Sequence, residues 1–148
     1  MKRYLQQWAI RTNPWWPFSS LNRFTYTMAI RYWVRACRKF PQIKSVYLRD
    51  SLTNGDWTPG ISDIDLTVVI KNDLTAAEEL GFLANFWHDY ECIKRVFPML
   101  GEVDVFDEKS MALWCRFGIR GYESASWQRV YGIETRAEYG ASSADRRR

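Results

Sequence analysis

Residues 46–70, VYLRDSLTNGDWTPGISDIDLTVVI, decide the fold of this 148-residue chain. They contain a strand-like run, a loop rich in Gly, Pro and Asn, and a second strand-like run that opens with Asp63-Ile64-Asp65. Because side chains alternate between the two faces of a strand, Asp63 and Asp65 project from one face, about 6–7 Å apart. Two carboxylates this close resist joint ionisation unless a cation or hydrogen-bond donors lie near them. The stretch therefore predicts a divalent-metal site at the mouth of a strand.

The length and composition are those of one globular domain. A hydrophobic content of 47% over 148 residues is enough to bury a core. We expect a single domain over 1–148 with its core at about 20–120. A basic, aromatic segment over 1–19 precedes that core, and the polar tail at 140–148 is predicted to be disordered.

Charge, cysteine usage and hydropathy restrict the class of protein. The net charge is +4, and residues 1–49 carry no Asp or Glu, which suits either an anionic partner or a solvated basic face. Cys37, Cys92 and Cys115 are too widely spaced for a CxxC zinc site or a disulfide framework and predict thiols of a reducing compartment. The chain has no secretory h-region and no run of about 20 apolar residues, so we expect a cytoplasmic protein without a membrane partner.

Helical and strand-like patterns alternate through the first half of the chain. A helix is predicted from Ser20 to the stop at Pro41. Strands are predicted over 43–49 and 65–70, with a loop over 51–62 between them. The predicted apolar stripe of the helix consists of Leu21, Phe24, Met28, Tyr32, Val34 and Cys37.

The second half begins with a capping box, Thr75-Ala-Ala-Glu78, which predicts a long helix to about Phe97. A strand over 102–106, a short helix over 109–120 and a helical segment over 124–139 are predicted to follow. The main apolar stripe predicted for the long helix consists of Leu80, Leu83, Trp87 and Tyr90, widened by Phe82, Phe86, Ile93 and Val96.

A third carboxylate belongs to the strand after the long helix. Glu102 and Asp104 alternate with Val103 and Val105, as Asp63 and Asp65 alternate with their neighbours. A strand, a helix and a second strand form a βαβ-like unit whose strands can lie side by side. Asp104 is therefore expected within reach of the first two acids. Mg²⁺ prefers such oxygen ligands and is usually held by one or two carboxylates together with substrate phosphates.

These residues resemble the nucleotidyltransferase superfamily of DNA polymerase beta, and most closely its small bacterial nucleotidyltransferase domains. The resemblance covers about residues 43–107 and rests on Ser51, eleven further residues, Asp63-Ile64-Asp65, and Asp104 on a later strand. It implies an α+β fold, with a small mixed β-sheet flanked by helices. It also implies Mg²⁺-dependent (or Mn²⁺-dependent) transfer of a nucleoside monophosphate from a nucleoside triphosphate to a hydroxyl on an unknown acceptor.

The resemblance also implies roles for individual residues. Asp63, Asp65 and Asp104 would be the catalytic, metal-binding acids. Ser51, with its neighbours Asp50 and Leu52, would contact the nucleotide phosphates. Asp50 stands where the family has glycine, and Asn54 where a basic residue is common. Since a carboxylate beside a triphosphate repels it, a second interpretation stays open: a catalytically weakened antitoxin or regulatory protein that binds a protein partner.

Overall fold

The computed structural model describes residues 4, 7, 10–12, 15, 18–49, 51–55, 57–59, 61–117 and 126–135. Within these ranges, one mixed sheet contains β1 (Ile43–Leu48), β2 (Ile64–Ile70), β3 (Leu100–Asp107) and β4 (Gln128–Gly132). The accompanying helices are α1 (Phe18–Cys37), the single turn α2 (Ser51–Asn54), α3 (Ala76–Val96) and α4 (Glu108–Phe117). No helix in this part of the chain is long and apolar enough to cross a membrane.

Strand β2 is an interior strand of the sheet, whose order is β3-β2-β1-β4. It runs antiparallel to β1 and parallel to β3, and α3 makes the crossover between the two parallel strands. The βαβ-like unit expected from the sequence is therefore confirmed. The α+β architecture, a small mixed sheet flanked by helices, is confirmed as well.

Helices α1 and α3 pack against one face of the sheet around an aromatic cluster. The Trp33 ring lies 5.3 Å from the Phe86 ring and 5.4 Å from the Tyr90 ring, both at steep angles. Edge-to-face pairs of this kind are worth about 0.5–1.5 kcal/mol beyond the burial of their area. The strands contribute Val46, Ile64, Leu66 and Val68 to the same core. This core covers one face of the sheet, and the other face carries the acids beside a second, smaller core cluster of Tyr47, Val69, Met111 and Trp127.

The buried stripes of both long helices differ from the predicted ones. Val34 and Cys37 of the stripe predicted for α1 are buried, but its other four members are exposed, and Tyr26, Ala29 and Trp33 are buried instead. On α3 the buried residues all belong to the predicted set, Tyr90 to its main stripe and Phe82, Phe86 and Ile93 to its widening, while Leu80 of the main stripe is 69% exposed. Both helices carry apolar residues on two stripes, so helical periodicity could not choose between them. On α1 the buried stripe includes small residues, which let the helix approach the sheet closely.

The capping box at the start of α3 is confirmed. The Thr75 hydroxyl accepts a hydrogen bond from Glu78 N, and Glu78 Oε2 accepts one of 2.8 Å from Thr75 N. The Thr75 hydroxyl also donates to Glu78 Oε2 at 2.7 Å, and this bond, together with the one from Thr75 N, stabilises the ionised carboxylate and lowers the pKa of Glu78. Two backbone N–H groups that lack helical partners are satisfied in this way.

The helical prediction over 124–139 is wrong for its described part, which contains β4. Strand β4 pairs antiparallel with β1, from Leu48 opposite Gln128 to Ser45 opposite Gly132. Gly132 has a φ of +82°, and a Cβ there would lie 1.9 Å from the carbonyl oxygen of Lys44. Pairing with a distant strand overrides the weak local helical pattern. The loop predicted over 51–62 also differs, since it begins with the turn α2, and the tail at 140–148 lies outside the described residues.

Candidate active site

The predicted acids lie on the face of the sheet opposite α1 and α3. Asp63 and Asp65 alternate with Ile64 and Leu66, which are fully buried in the helix-side core. Asp104 pairs in register with Thr67 of β2, two residues beyond Asp65. The three carboxylates therefore belong to one face, near the end of the sheet where β2 and β3 begin.

Asp63 and Asp65 converge on Gly101 of β3. A Cβ at Gly101 would lie 2.2 Å from Asp65 Oδ1 and 2.8 Å from Asp63 Cβ, so both side chains rest against its bare Cα. Asp65 Oδ1 also accepts a 2.8 Å hydrogen bond from the backbone N–H of Glu102. A side chain at position 101 would thus occupy the place of the carboxylate.

A β-bulge in β3 produces this arrangement. Ile64 pairs with Leu100 but Leu66 pairs with Val103, so β3 has one extra residue opposite Asp65. Such a bulge re-aims the strand locally. After it, Val103 and Val105 pack toward the helix-side core, and Asp104 belongs to the face of the acids. Sequence reasoning treated Gly101 only as a turn, although a glycine at the start of an acid-bearing strand was an available signal.

Helix α3 holds the carbonyl of Gly101 in place. The Tyr90 hydroxyl donates to this oxygen, and Lys94 Nζ donates to it at 3.3 Å. Lys94 Nζ also donates to the Tyr90 hydroxyl at 2.9 Å. The glycine on which the acids rest is therefore connected to the crossover helix.

Arg49, the residue after β1, reaches across β2 to Asp104. Its Nη1 donates to Asp104 Oδ2, and its backbone N–H donates to Asp65 O at 3.0 Å. The guanidinium carbon lies 5.8 Å from the centre of the Trp127 ring. Only 10% of the Arg49 side chain is exposed, compared with 41% of the Asp104 side chain. The sequence predicts Arg49 only as the end of a strand, so its pattern does not reveal this contact.

The loop before the acids is joined to α1. The Tyr26 hydroxyl donates to Ser62 O at 2.7 Å, and Thr58 N donates to Ser62 Oγ at 3.0 Å. Trp57 packs on the Tyr26 ring at 5.1 Å, and the Arg23 guanidinium lies 5.7 Å from the Trp57 ring. These contacts fix the backbone immediately before Asp63.

The residues predicted to contact phosphate lie at the start of this loop. Ser51 is the first residue of α2, and the Leu52 side chain packs against the helix-side core. A nucleotide contact by Leu52 would therefore use its backbone. Asp50 lies outside the described residues, and so do the side chains of Ser51 and Asn54.

The donor chemistry of the acids fits a divalent cation, with one restriction. Carboxylate oxygens are the ligands that Mg²⁺ prefers, and Asp63 and Asp65 meet above a glycine that no side chain could replace without displacing them. Asp104 is engaged by Arg49. Among the described residues, no group of three or more His, Cys, Asp or Glu side chains is arranged to hold a metal ion. The pair Asp63 and Asp65 is thus the better-formed part of the site.

A family model described as a nucleotidyltransferase domain matches residues 30–110, which is more than half of the chain. The chain belongs to this nucleotidyltransferase-domain family. The matched region contains β1, β2, α3 and β3, and with them Arg49, Asp63, Asp65 and Asp104. Strand β4 and Trp127 follow the matched region, so the aromatic partner of Arg49 lies outside the family model.

Solved structures resemble the domain at low identity. A toxin–antitoxin crystal structure with AMP-PNP is 19% identical over 80% of this chain and 90% of that chain, with a TM-score of 0.43. The tri-AMPylated HEPN toxin of Shewanella oneidensis in complex with MNT antitoxin is 17% identical over 86% of this chain and 91% of that chain, with a TM-score of 0.37. No curated protein sequence matches the chain.

Proposed function

We propose that this nucleotidyltransferase-domain protein transfers a nucleoside monophosphate from a nucleoside triphosphate to a hydroxyl group of an acceptor, with Mg²⁺ or Mn²⁺. The observation that carries the proposal is the convergence of Asp63 and Asp65 on Gly101, within the region that matches the family. Two acidic side chains are packed here against one bare Cα, and like charges held near each other repel unless a cation lies between them. Such a pair is suited to binding a cation.

Each acid has a proposed role. Asp63 and Asp65 would hold the divalent ion, and Asp104 would be the third carboxylate. When bound, the ion would neutralise charge on the triphosphate and help to orient the attacking hydroxyl. Ser51 and the backbone of the loop that follows would contact the phosphates, as the family resemblance implies. The contacts of Ser62 with Tyr26 and Thr58 would keep this loop beside the acids.

Electrostatics supports the need for a cation. Two unit charges of like sign about 4 Å apart repel by about 1 kcal/mol in water and about 4 kcal/mol at an effective dielectric constant of 20. A triphosphate that approaches Asp63 and Asp65 would add to this repulsion. The same carboxylates attract a divalent ion, so nucleotide binding should depend on the metal.

The test is transfer of label from each α-³²P-labelled nucleoside triphosphate, with Mg²⁺ or Mn²⁺, to acceptors in a cell extract. We expect the wild type to label an acceptor, and Asp63→Asn and Asp65→Asn to lose at least about a hundredfold in rate. Asp73→Asn is the matched control, because Asp73 is exposed and lies beyond the far end of β2. Equal labelling by the wild type and both site variants would overturn the proposal. Absence of metal-dependent nucleotide binding at millimolar concentrations would do the same.

A second candidate is a non-catalytic regulatory or antitoxin-type protein that keeps the fold and binds a protein partner. The contact between Arg49 and Asp104 favours it, since it occupies one of the three acids with a protein cation. In that case Asp63→Asn and Asp65→Asn would keep the full regulatory effect on the partner in cells, although neither variant would transfer label to an acceptor. Loss of the effect in both variants, with the fold intact, would exclude this candidate.

A further inference from the structure

A protein cation already lies at the acid site, in the form of Arg49. Its guanidinium contacts Asp104, and its backbone N–H contacts the carbonyl of Asp65, so it borders two of the three acids. Arg49 directly follows β1 and Asp104 belongs to β3, so the Arg49 side chain must extend over the intervening strand β2. Any cation bound by Asp63 and Asp65 would therefore lie near this positive charge.

The hold of Arg49 on Asp104 is incomplete. An arginine and a carboxylate can form two parallel hydrogen bonds, but the contact between Arg49 and Asp104 joins Nη1 and Oδ2 alone. Within the described part of the chain, the buried Arg49 Nε has no hydrogen-bond partner. The Asp104 side chain is 41% exposed, so solvent and ions can reach it. These features allow a divalent ion to replace Arg49 as the partner of Asp104.

Trp127 gives the guanidinium a second partner. The ring centre lies 5.8 Å from the guanidinium carbon, within the range of a cation–π interaction. Trp127 is itself buried and packs on Trp114, with ring centres 5.1 Å apart. Arg49 could therefore release Asp104 and still keep a favourable contact with the Trp127 ring.

We propose that Arg49 is the resident counter-ion of the acid site: it holds Asp104 while no metal is bound and yields it to a divalent ion. This inference rests on the proposed function, because it assumes that Asp63 and Asp65 bind the ion. Arg49 is a positioning residue that sets metal affinity through Asp104. A carboxylate that Arg49 releases, about 5 Å from a divalent ion, favours binding of the ion by on the order of tenfold even at the dielectric constant of water.

The experiment measures Mn²⁺ affinity by calorimetry on the full chain without nucleotide. Arg49→Met removes the charge and keeps an unbranched side chain of similar length beside Trp127. We expect it to bind Mn²⁺ at least about tenfold more tightly than the wild type. Arg38→Met is the matched control, because Arg38 also lies 5.8 Å from an aromatic ring, that of Tyr131, and loses the same charge. The control should bind Mn²⁺ as the wild type does.

A double variant tests whether the effect passes through Asp104. The tighter binding of Arg49→Met should disappear in Arg49→Met/Asp104→Asn, because the released carboxylate is then absent. If the double variant keeps the gain, Arg49 acts only as a general positive charge and the proposal fails. A purely structural role for Arg49 would lower metal affinity on substitution rather than raise it.

A second measurement uses the unmodified chain and does not depend on the folding of the Arg49→Met variant. The Arg49 Nε–H cross-peak in a ¹⁵N spectrum can be assigned by its loss in Arg49→Lys. Addition of Mg²⁺ should shift this cross-peak along the same titration curve as metal binding. A cross-peak that stays unchanged while Mg²⁺ binds would overturn the inference.

The outcomes separate this inference from the proposed function. Equal Mn²⁺ affinity in the wild type and Arg49→Met overturns the role of Arg49 and leaves the proposed metal site in place. A complete lack of Mn²⁺ binding by every variant overturns both.

Discussion

Gly101→Ala is the substitution that should disturb the acid site most directly. The added Cβ would lie 2.2 Å from Asp65 Oδ1, whereas ordinary contact begins at 3.4 Å. If the backbone stays in place, the carboxylate oxygen must therefore move by more than about 1 Å. That movement would break its 2.8 Å hydrogen bond from Glu102 N and press on Asp63, whose Cβ lies 2.8 Å from the same point.

The expected effects of Gly101→Ala differ between stability and activity. Insertion of a methyl group into a tightly packed position costs about 1–3 kcal/mol of unfolding free energy. A displacement of about 1 Å at a catalytic group can cost about a hundredfold in rate. We therefore expect urea denaturation to show a modest loss of stability, and Mn²⁺ calorimetry and nucleotide labelling to show a much larger loss of function.

The control for Gly101→Ala is Gly81→Ala. Gly81 lies in α3, and a Cβ there would have no atom within 4 Å. The alanine should stabilise the helix by up to about 1 kcal/mol, with metal binding and labelling unchanged. If Gly101→Ala behaves like Gly81→Ala in both assays, Asp63 and Asp65 do not function in the conformation described above.

Three further outcomes follow from local contacts. Thr75→Ala should lower the unfolding free energy by about 1 kcal/mol in urea denaturation. In the wild type, hydrogen bonds from Thr75 lower the pKa of Glu78 in the folded state. Their contribution to the unfolding free energy should therefore be present at neutral pH and be lost as pH falls through that folded-state pKa. A difference between wild type and Thr75→Ala that stays unchanged in acid would contradict this. Burial raises the pKa of Cys37 to about 12. A thiol reagent at pH 8 should therefore label the exposed Cys92 in the native protein, and Cys37 only after unfolding. Mass spectrometry of the peptides measures which cysteine is labelled. Phe86→Ala should cost about 3–5 kcal/mol in the same denaturation assay, and a loss below 1 kcal/mol would mean that the aromatic cluster is not the core.

Local sequence signals were sufficient to predict the central βαβ unit formed by β2, α3 and β3. The continuous apolar run of β2 matches a buried strand, and Thr75 with Glu78 marks the start of α3 within one residue. Both signals involve residues close together in the chain, so their physical cause is visible in the sequence. The expectation that β2 and β3 lie side by side also followed from chain order alone.

The remaining features depend on contacts between distant residues. Strand β4 has five residues, and its own sequence pattern does not predict a strand. Its backbone pairing with β1 stabilises the strand instead. The choice of buried stripe on α1 and α3 depends on how the two helices meet the sheet. The contact between Arg49 and Asp104 depends on the bulge in β3, which no periodicity could reveal. The acids could therefore be named from the sequence, but the groups that surround them could not.

The pairing of Leu48 with Gln128 has a consequence for the order of events during synthesis. Strands β1, β2 and β3 leave the ribosome before β4, the last of the described strands, and closing so long a loop makes its docking a late step. Until then the free edge of β1 is open to pairing with another chain. Arg49 and Asp104 are both present at that stage, but Trp127 is not. A nascent or truncated chain would thus carry all three acids and an arginine without its aromatic support.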